Sequence, residues 1–259
     1  MKFAERQDAI LQMLSVQESV MLPDFAQALG VSVETVRRDL NYLEQKRLIK
    51  KVYGGAILYN RTGSVVPLDT RAGVYSPEKV AIGHKCAEFV KDGDNVFLGP
   101  GTTVVQVARF LKTRKSLTVV TTSIYAAMEF LHTDATVYFV GGRLDTDDAA
   151  TSQLVPADSA WDQLCPSKAI VSCGGISTTH GITDFGICEG MLLSRFISRA
   201  NQVYVAVDNS KFGLVYPCAT FPLSRATYII TGDRQKEEIL SSFAQYRQRF
   251  IFVDGYAEP

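Results

Sequence analysis

The chain has 259 residues, and its 27 basic and 27 acidic side chains give a formal net charge of zero. This balance excludes a positive field over the whole molecule, so binding to nucleic acid would require a local basic patch. Hydrophobic residues make up 46% of the sequence and charged residues 21%, which is typical of a globular protein and excludes general disorder.

The sequence carries no sign of a membrane, secretion or metal-binding segment. No apolar run approaches the roughly 18–20 residues that cross a bilayer, and Glu5, Arg6 and Asp8 occupy the place of a signal peptide's apolar centre. The five cysteines form no CxxC pair, which favours reduced thiols over a disulfide framework or a zinc site. We therefore expect a cytoplasmic protein with no metal and no cofactor.

The charge is unevenly distributed near the N-terminus. Residues 35–53 carry six basic and two acidic side chains, whereas residues 59–76 contain Gly, Pro, Ser and Thr with little periodicity. The second stretch is typical of a linker. The sequence thus predicts a small domain over residues 1–58, a linker over 59–76 and a larger domain over 77–259.

The first domain begins with two predicted helices. Residues 4–15 place Ile10, Leu11 and Leu14 on one side of a helix. Pro23 suits the first turn of a second helix, which carries Phe25 and Leu29 inward and ends at Gly30.

A third helix begins after Ser32, which is a suitable N-cap. Val33, Val36, Leu40 and Leu43 recur at the spacing of one buried stripe. The polar side chains fall on the opposite face, with Arg37 on its flank: Glu34, Thr35, Arg38, Asn41 and Tyr42.

The segment after the third helix predicts a β-hairpin that turns at Gly54-Gly55. Together these elements predict a winged helix-turn-helix, with the helix-turn-helix at about 20–39 and the wing at about 48–58. Arg can pair with guanine and Asn with adenine in the major groove, while Lys50 and Lys51 would meet phosphates. The alternative is a three-helix bundle with a solvated basic face, which the Gly30 turn, the capped helix and the adjacent wing disfavour.

The segment VSVETVRRDLNYLEQ and the YGGA of the wing resemble the DNA-binding domain of the DeoR family of bacterial sugar-metabolism regulators. The resemblance implies a protein that binds double-stranded operator DNA, more often as a repressor than as an activator. By resemblance, Thr35, Arg37 and Arg38 lie at the start of the recognition helix. The candidate DNA-binding residues are Ser32, Glu34, Thr35, Arg37, Arg38, Asn41, Tyr42, Lys50, Lys51 and Tyr53.

The second domain alternates apolar strands with helices. Strands are predicted at 95–98, 117–121, 136–140, 169–172, 203–207, 228–231 and 250–253, and helices at 78–90, 103–111, 124–131 and 188–200. Continuous apolar strands between helices indicate a parallel sheet that is covered on both faces, an α/β architecture. In such sheets ligands bind beyond the carboxyl ends of the strands.

Five polar loops follow predicted strands. They contain Gly101, Thr102 and Thr103 in a turn suited to phosphate; Thr122 and Ser123, either of which could simply cap a helix; Gly142 and Arg143; Asp184 and Glu189; and Asp208, Ser210 and Lys211. Each loop alone is more often just a turn. Their number at successive strand ends favours a pocket for a polar ligand.

This domain also resembles the sensor domain of the same family, whose fold is related to ribose-5-phosphate isomerase and CoA-transferase-like domains. The matching pieces include the GTT turn, GITDF and DNSKFG, and they extend over about residues 66–235. The resemblance implies an effector that is a phosphorylated sugar or a related metabolite. It places the phosphate on Gly101, Thr102 and Thr103, and it places Asp184, Glu189 and Lys211 in the pocket wall.

The chain departs from the family's pattern at several pocket positions. The family usually has Asp at Gly99, Asn at Thr122, an acid at Gly174 and Asn at Gly186. Where it often carries basic residues, this chain has Asp145, Asp147 and Asp148. An atypical effector, a less anionic one or none at all therefore stays open.

Two other functions compete with an effector-controlled repressor. Asp184, Glu189 and Lys211 could perform acid–base chemistry in an isomerase-like enzyme. However, glycines stand at positions 99 and 174, where such a pocket would carry acidic residues, and the three histidines form no cluster. We therefore do not expect an enzyme. A transcriptional activator or a ligand-independent DNA-binding protein is the nearer alternative. Either regulator would act as a homo-oligomer, a dimer or tetramer, on repeated half-sites.

Overall fold

The computed structural model describes residues 3–16, 19–46, 48–58, 76–145, 150–152 and 160–254. Contacts between Cα atoms divide the chain into two units, Met1–Tyr75 and Ser76–Ala257. The predicted linker lies outside the described residues except for its last residue, Ser76, and so do Asp147 and Asp148. None of the helices within these ranges has the length and apolarity that a bilayer crossing requires.

The first unit has the elements of a winged helix-turn-helix. Its elements in chain order are α1 (Phe3–Val16), β1 (Val20–Met21), α2 (Leu22–Leu29), α3 (Val33–Gln45), β2 (Ile49–Val52) and β3 (Gly55–Leu58). The three strands form an antiparallel sheet in the order β1-β3-β2. The three helices and the hairpin predicted from the sequence are confirmed.

The core of this unit is built from the predicted apolar stripes, with one exception. Ile10, Leu14, Phe25 and Leu40 are at most 1% exposed. The prediction that Val33 is buried is wrong: it is the first residue of α3 and is 38% exposed, because the core ends one turn further along the helix.

Two turns fix the geometry of the helix-turn-helix and the wing. Gly30 ends α2 in the left-handed region, with φ of +64°, which a residue without Cβ adopts at little cost. The predicted Gly54-Gly55 turn is shifted by one residue, because Gly55 pairs with Val52 and the turn is formed by Tyr53 and Gly54.

The second unit is built on a parallel sheet of seven strands in the order β15-β14-β12-β9-β4-β5-β6. These strands are β4 (Asn95–Leu98), β5 (Thr118–Thr121), β6 (Thr136–Phe139), β9 (Lys168–Val171), β12 (Gln202–Ala206), β14 (Tyr228–Gly232) and β15 (Phe250–Val253). The helices are α4 (Ser76–Ala87), α5 (Thr102–Leu111), α6 (Ile124–Met128), α7 (Ile187–Arg199) and α8 (Lys236–Ser242).

Buried side chains cover both faces of this sheet. Ile82, Val104 and Ile230 belong to one hydrophobic cluster, and Val171, Leu193 and Val205 belong to the other. The predicted parallel α/β architecture is therefore confirmed, since alternate residues of the strands enter different clusters.

Helix α8 and two β-structures of this unit were not predicted from the sequence. A hairpin pairs β7 (Arg143–Asp145) with β8 (Ala150–Ser152), and a small antiparallel sheet joins β10 (Gly175–Ser177), β11 (Gly181–Asp184) and β13 (Cys218–Phe221) in the order β10-β11-β13. The prediction that Asp184 lies in a polar loop is wrong, because residues 175–177 and 181–184 form β10 and β11. Such short polar strands carry too few residues for a periodic signal. Glu189 lies in α7, whose start was predicted at residue 188.

Candidate functional sites

The first candidate site is the exposed face of α3. Ser32 caps the helix, because its Oγ accepts a hydrogen bond from the Thr35 backbone N–H at 3.2 Å. The Ser32 and Thr35 hydroxyls lie 2.9 Å apart. Glu34, Arg37 and Arg38 follow on the exposed surface. The helix therefore presents one face of its first two turns, with both arginines, to solvent.

A buried ion pair fixes α3 against α1. Arg6 donates to both oxygens of Asp39, with Nε at 2.5 Å from Oδ2 and Nη2 at 3.0 Å from Oδ1. Asp39 is 1% exposed. Sequence reasoning missed this pair, although Asp39 lies three residues after Val36 on the buried side of the helix.

The wing is tied to the end of α3 through Lys51. Glu44 accepts hydrogen bonds from the Lys51 backbone N–H at 2.9 Å, and its other oxygen lies 2.9 Å from Lys51 Nζ. Lys51 Nζ also donates to Asn41 Oδ1 at 2.7 Å. These contacts bring two of the predicted DNA-binding residues, Asn41 and Lys51, into one network.

Three further predicted residues lie near this network or at the wing tip. Lys50 is exposed on β2, and Tyr53 at the tip is fully exposed. Tyr42 is partly covered, because its ring contacts the Phe3 ring edge-on at 5.2 Å and Lys46 Nζ lies 5.7 Å from its centroid. The wing therefore presents the Tyr53 ring at its tip and the Lys50 ammonium group on β2.

The second candidate site is the carboxyl edge of the parallel sheet, where α4, α5 and α6 begin. Gly101 precedes α5 with φ of +116°, and a Cβ at this position would lie 3.2 Å from the Ser172 Cβ. Thr102 and Thr103 are buried, and so is Thr122. The Ser123 hydroxyl accepts from the Ala126 N–H at 3.2 Å and so serves as the cap of α6.

Asp184, at the end of β11, is held by two donors. Its Oδ1 accepts from the Gly174 N–H at 2.8 Å, and its Oδ2 accepts from the Thr220 hydroxyl at 3.0 Å. Burial raises the pKa of Asp184 to about 6, and the charge of Glu189 acts in the same direction, whereas these hydrogen bonds and Lys211 oppose it. Asp184, Glu189 and Lys211 therefore interact electrostatically.

The glycines that depart from the family's pattern lie in filled space. A Cβ at Gly174 would lie 3.0 Å from Tyr216 and 3.1 Å from Phe185. The two rings have their centroids 3.9 Å apart. A Cβ at Gly99 would lie 3.2 Å from Val171 Cγ1. Side-chain packing thus occupies the room that acidic side chains would need at these positions.

Gly142 and Arg143 lie at the start of the hairpin of β7 with β8. They follow β6, which is three positions from β9 in the sheet, a separation of about 14 Å at the usual spacing of strands. The Arg143 side chain lies outside the described residues. Strand β8, which pairs with β7, contacts α7, the helix that carries Glu189 in its first turn.

Sequence reasoning missed two charged residues at this edge, Glu78 and Lys79 in the first turn of α4. Both are buried, at 1% and 4% exposure. Lys79 Nζ lies 3.8 Å from Asp208 Oδ2. Their signal was available, because the inward stripe formed by Ile82, Gly83 and Cys86 continues one turn back onto both residues.

Glu78 receives an unusual number of hydrogen bonds. Its Oε1 accepts from the Asn209 N–H at 2.9 Å, from the Asn209 side-chain amide at 2.6 Å and from the Gly232 N–H at 3.2 Å. Burial, together with repulsion from Asp208, raises the pKa of Glu78 to about 7. One carboxyl group thus connects α4 to the ends of β12 and β14.

Two family models match the chain. A DeoR-like helix-turn-helix domain matches residues 6–62, and the DeoR C terminal sensor domain matches residues 75–233. Two curated relatives match nearly the whole chain. The HTH-type transcriptional regulator IolR of Bacillus subtilis is 31% identical over 92% of this chain and 93% of its own. The HTH-type transcriptional regulator GolR of Listeria innocua is 26% identical over 92% of this chain and 94% of its own.

Solved structures show a more distant likeness. Ribose 5-phosphate isomerase A from Methanocaldococcus jannaschii has a TM-score of 0.39 and 19% identity, and covers 52% of this chain and 53% of its own. The 4-hydroxybutyrate CoA-transferase of Porphyromonas gingivalis has a TM-score of 0.39 and 17% identity, over 78% of this chain and 62% of its own. The two family models cover both units in chain order, and the chain therefore belongs to the DeoR family of transcriptional regulators.

Proposed function

We propose that the chain is an operator-binding repressor of a carbohydrate-metabolism operon, and that a phosphorylated sugar or related metabolite releases or modulates it. The proposal includes a cytoplasmic location and a homo-oligomer, a dimer or tetramer, that presents several winged units to repeated half-sites. Relatives named as repressors support it, among them the glycerol-3-phosphate regulon repressor of Escherichia coli, which is 28% identical over 82% of this chain and 84% of its own.

The capped α3 is the observation that carries the DNA-binding half of the proposal. Its exposed arginines precede a wing that Glu44 holds through Lys51. A helix of this kind fits the major groove, where Arg makes bidentate contacts with guanine, while wing lysines neutralise phosphates.

The carboxyl edge of the sheet supports the effector half. The first turn of α5 supplies free backbone N–H groups and a positive helix end, and Lys211 lies close enough to lower the pKa of Asp184. An anionic group such as a phosphate is the ligand that these features favour.

The DNA-binding half is tested by sequencing the genomic fragments that the full chain retains and titrating one of them. We expect Arg38→Ala to weaken operator binding. It should also reduce the discrimination between bases at one operator position by about 1–3 kcal/mol, because a bidentate contact with a base is lost. Arg38→Lys is the matched control, since it keeps the charge and loses only the planar fork. Unchanged affinity and base preference in Arg38→Ala would refute the assignment.

The wing is tested by Lys50→Ala in the same titration. We expect the affinity to fall by the same factor on all DNA sequences. We also expect the slope of log affinity against log salt concentration to become shallower by about 1, because one phosphate contact is lost. A sequence-dependent loss would contradict a phosphate contact.

The effector half is tested by thermal unfolding of the full chain with inorganic phosphate, glycerol 3-phosphate, glucose 6-phosphate and fructose 1-phosphate. A ligand that binds only the folded state raises the transition temperature as its concentration rises. A binder should then change operator affinity in the titration. Promoter output with and without the protein separates a repressor from an activator.

A further inference from the structure

The first turn of α4 holds two buried charges, Glu78 and Lys79, that no DNA or effector contact assigned above explains. Lys79 faces Asp208, and Glu78, Lys79 and Asp208 are at most 4% exposed. Lys211 acts electrostatically on the same Asp208 carboxylate. Burying charges is costly unless each is paired and hydrogen-bonded. Such a cluster in the described part of the second unit therefore calls for a role beyond packing.

Glu78 and Lys79 hold the same loop from neighbouring positions on one helix turn. Glu78 holds Asn209 through its backbone and side-chain N–H groups, and Lys79 faces Asp208. Asp208 in turn accepts from the Ser210 N–H at 3.1 Å and so caps the short 3-10 helix Asn209–Lys211. We call these contacts between Glu78, Lys79 and residues 208–211 the α4 clamp.

The α4 clamp connects the candidate effector site to the segment that joins the two units. Lys211 lies at one end of the clamped loop, and α4 begins at Ser76, the first residue of the second unit. A displacement of the loop by a ligand would therefore act on the helix turn to which the joining segment is covalently attached.

The Lys79 ion pair can respond to an arriving anion. Burial alone would raise the pKa of Asp208, but Lys79 and Lys211 lower it, so both ammonium groups act on the same carboxylate. The Lys79–Asp208 distance of 3.8 Å exceeds the roughly 2.7–2.9 Å of a tight charged hydrogen bond. An anion near Lys211 would compete with Asp208 for positive charge and alter the pairing of Lys79.

We propose that Glu78 and Lys79 are positioning residues that couple occupancy of the effector site to the start of α4, and so to operator binding, without themselves holding the effector. This inference rests on the proposed function, because it needs an effector that changes operator affinity. It assigns a role to two residues that lie in the first helical turn after the joining segment.

The test measures operator affinity of the full chain with and without each of the four probes named above. A coupling of typical size changes operator affinity by about 5- to 150-fold. We expect Lys79→Met and Glu78→Ala to bind operator within about 2-fold of wild type and to keep the thermal shift with the probe, but to reduce that coupling below about 2-fold.

Two controls separate positioning from general damage. Lys85→Met makes the same substitution on the same helix, where the lysine pairs with Glu88 at the surface, and it should keep the wild-type coupling. Glu78→Gln keeps an oxygen that can accept from Asn209 and should also keep it. Circular dichroism identifies any variant that fails to fold, and Lys79→Met and Glu78→Ala test the clamp independently.

The outcomes distinguish the two proposals. If a probe changes the operator affinity of wild type, and it changes that of the folded Lys79→Met and Glu78→Ala variants by the same factor, the coupling role of the clamp is refuted and the proposed function stands. If Lys79→Met loses probe binding altogether, Lys79 is a ligand contact and the positioning role is wrong. If wild type responds to none of the probes, the effector half of the proposed function fails and the clamp proposal fails with it.

Discussion

At the scale of single residues, Glu78 illustrates how burial reverses the usual effect of pH on a carboxyl group. Its pKa rises from the usual 4.5 to about 7 in the folded chain. Between these values the folded state binds a proton that the unfolded chain has released, so the free energy of unfolding falls as pH rises. The stabilising contribution is complete below the unfolded pKa and is lost as pH passes the folded pKa.

We predict that Glu78→Gln flattens the pH dependence of stability. Relative to the variant, wild type should lose about 3 kcal/mol between about pH 5 and about pH 8, because a shift of one pKa unit corresponds to about 1.4 kcal/mol. Thermal or urea unfolding of the full chain across this range gives the difference. Asp184 shifts in the same direction, and comparing the two proteins at each pH cancels its contribution.

Glu88→Gln is the control for this prediction. Glu88 lies at the surface beside Lys85, and its variant should follow the wild-type curve. Parallel curves for wild type and Glu78→Gln would show that Glu78 stays ionised in the folded chain.

At the scale of elements, the position of α3 depends on a contact from a different helix. Arg6 on α1 makes a two-pronged ion pair with Asp39 on α3, and both side chains are largely out of water. Removing one partner of a buried pair leaves an uncompensated charge, whereas replacing both by apolar groups is often neutral.

We predict that Asp39→Ala lowers the stability of the first unit by about 1–3 kcal/mol and that the double variant Arg6→Met/Asp39→Leu recovers most of the loss, because Asp39 is buried while Arg6 is partly exposed. Differential scanning calorimetry of the full chain follows the transition of this unit. Glu34→Ala is the control, because its ion pair with Arg37 spans 3.8 Å at the surface and contributes about 0–1 kcal/mol. An Asp39→Ala chain as stable as wild type would show that the pair only orients the helix.

The elements that the sequence predicted are those whose signals are local. The helices of the first unit follow from a period of 3.6 residues with a cap at Ser32 and a stop at Gly30, and the parallel strands follow from runs of β-branched residues. The pairing of β11 with β13 was missed because Thr183 pairs with Ala219, far along the chain. No local pattern reports such a pairing.

The candidate sites show the same division. The exposed face of α3 could be placed from the sequence because helical periodicity fixes it. The partners of the buried Glu78 and Lys79 could not, because they depend on where residues 208–211 and the end of β14 fold. The filling of the space beside Gly174 by Phe185 and Tyr216 likewise depends on tertiary packing.

At the scale of the whole molecule, the two sets of candidate site residues belong to different units of one chain. The candidate DNA-binding residues all lie in Met1–Tyr75, and the candidate effector residues all lie in Ser76–Ala257. If an effector lowers operator affinity, operator must lower effector affinity by the same factor, because the two equilibria are linked. Because the two sets of residues lie in different units, variants should exist that lose the response to the effector and keep DNA binding.

We predict that the double variant Thr102→Val/Thr103→Val is such a chain. Valine keeps the shape of threonine at these buried positions but removes the hydroxyl groups at the start of α5, where the phosphate is proposed to bind. Operator affinity without effector should stay within about 2-fold of wild type, while the effect of the phosphorylated probe, about 5- to 150-fold in wild type, should disappear. Thr113→Val is the control, because the Thr113 hydroxyl donates to the Phe110 carbonyl in an exposed turn after α5. A response that survives in the double variant would place the phosphate elsewhere on the sheet edge, and the loss of operator binding would contradict the separation of the two units' roles.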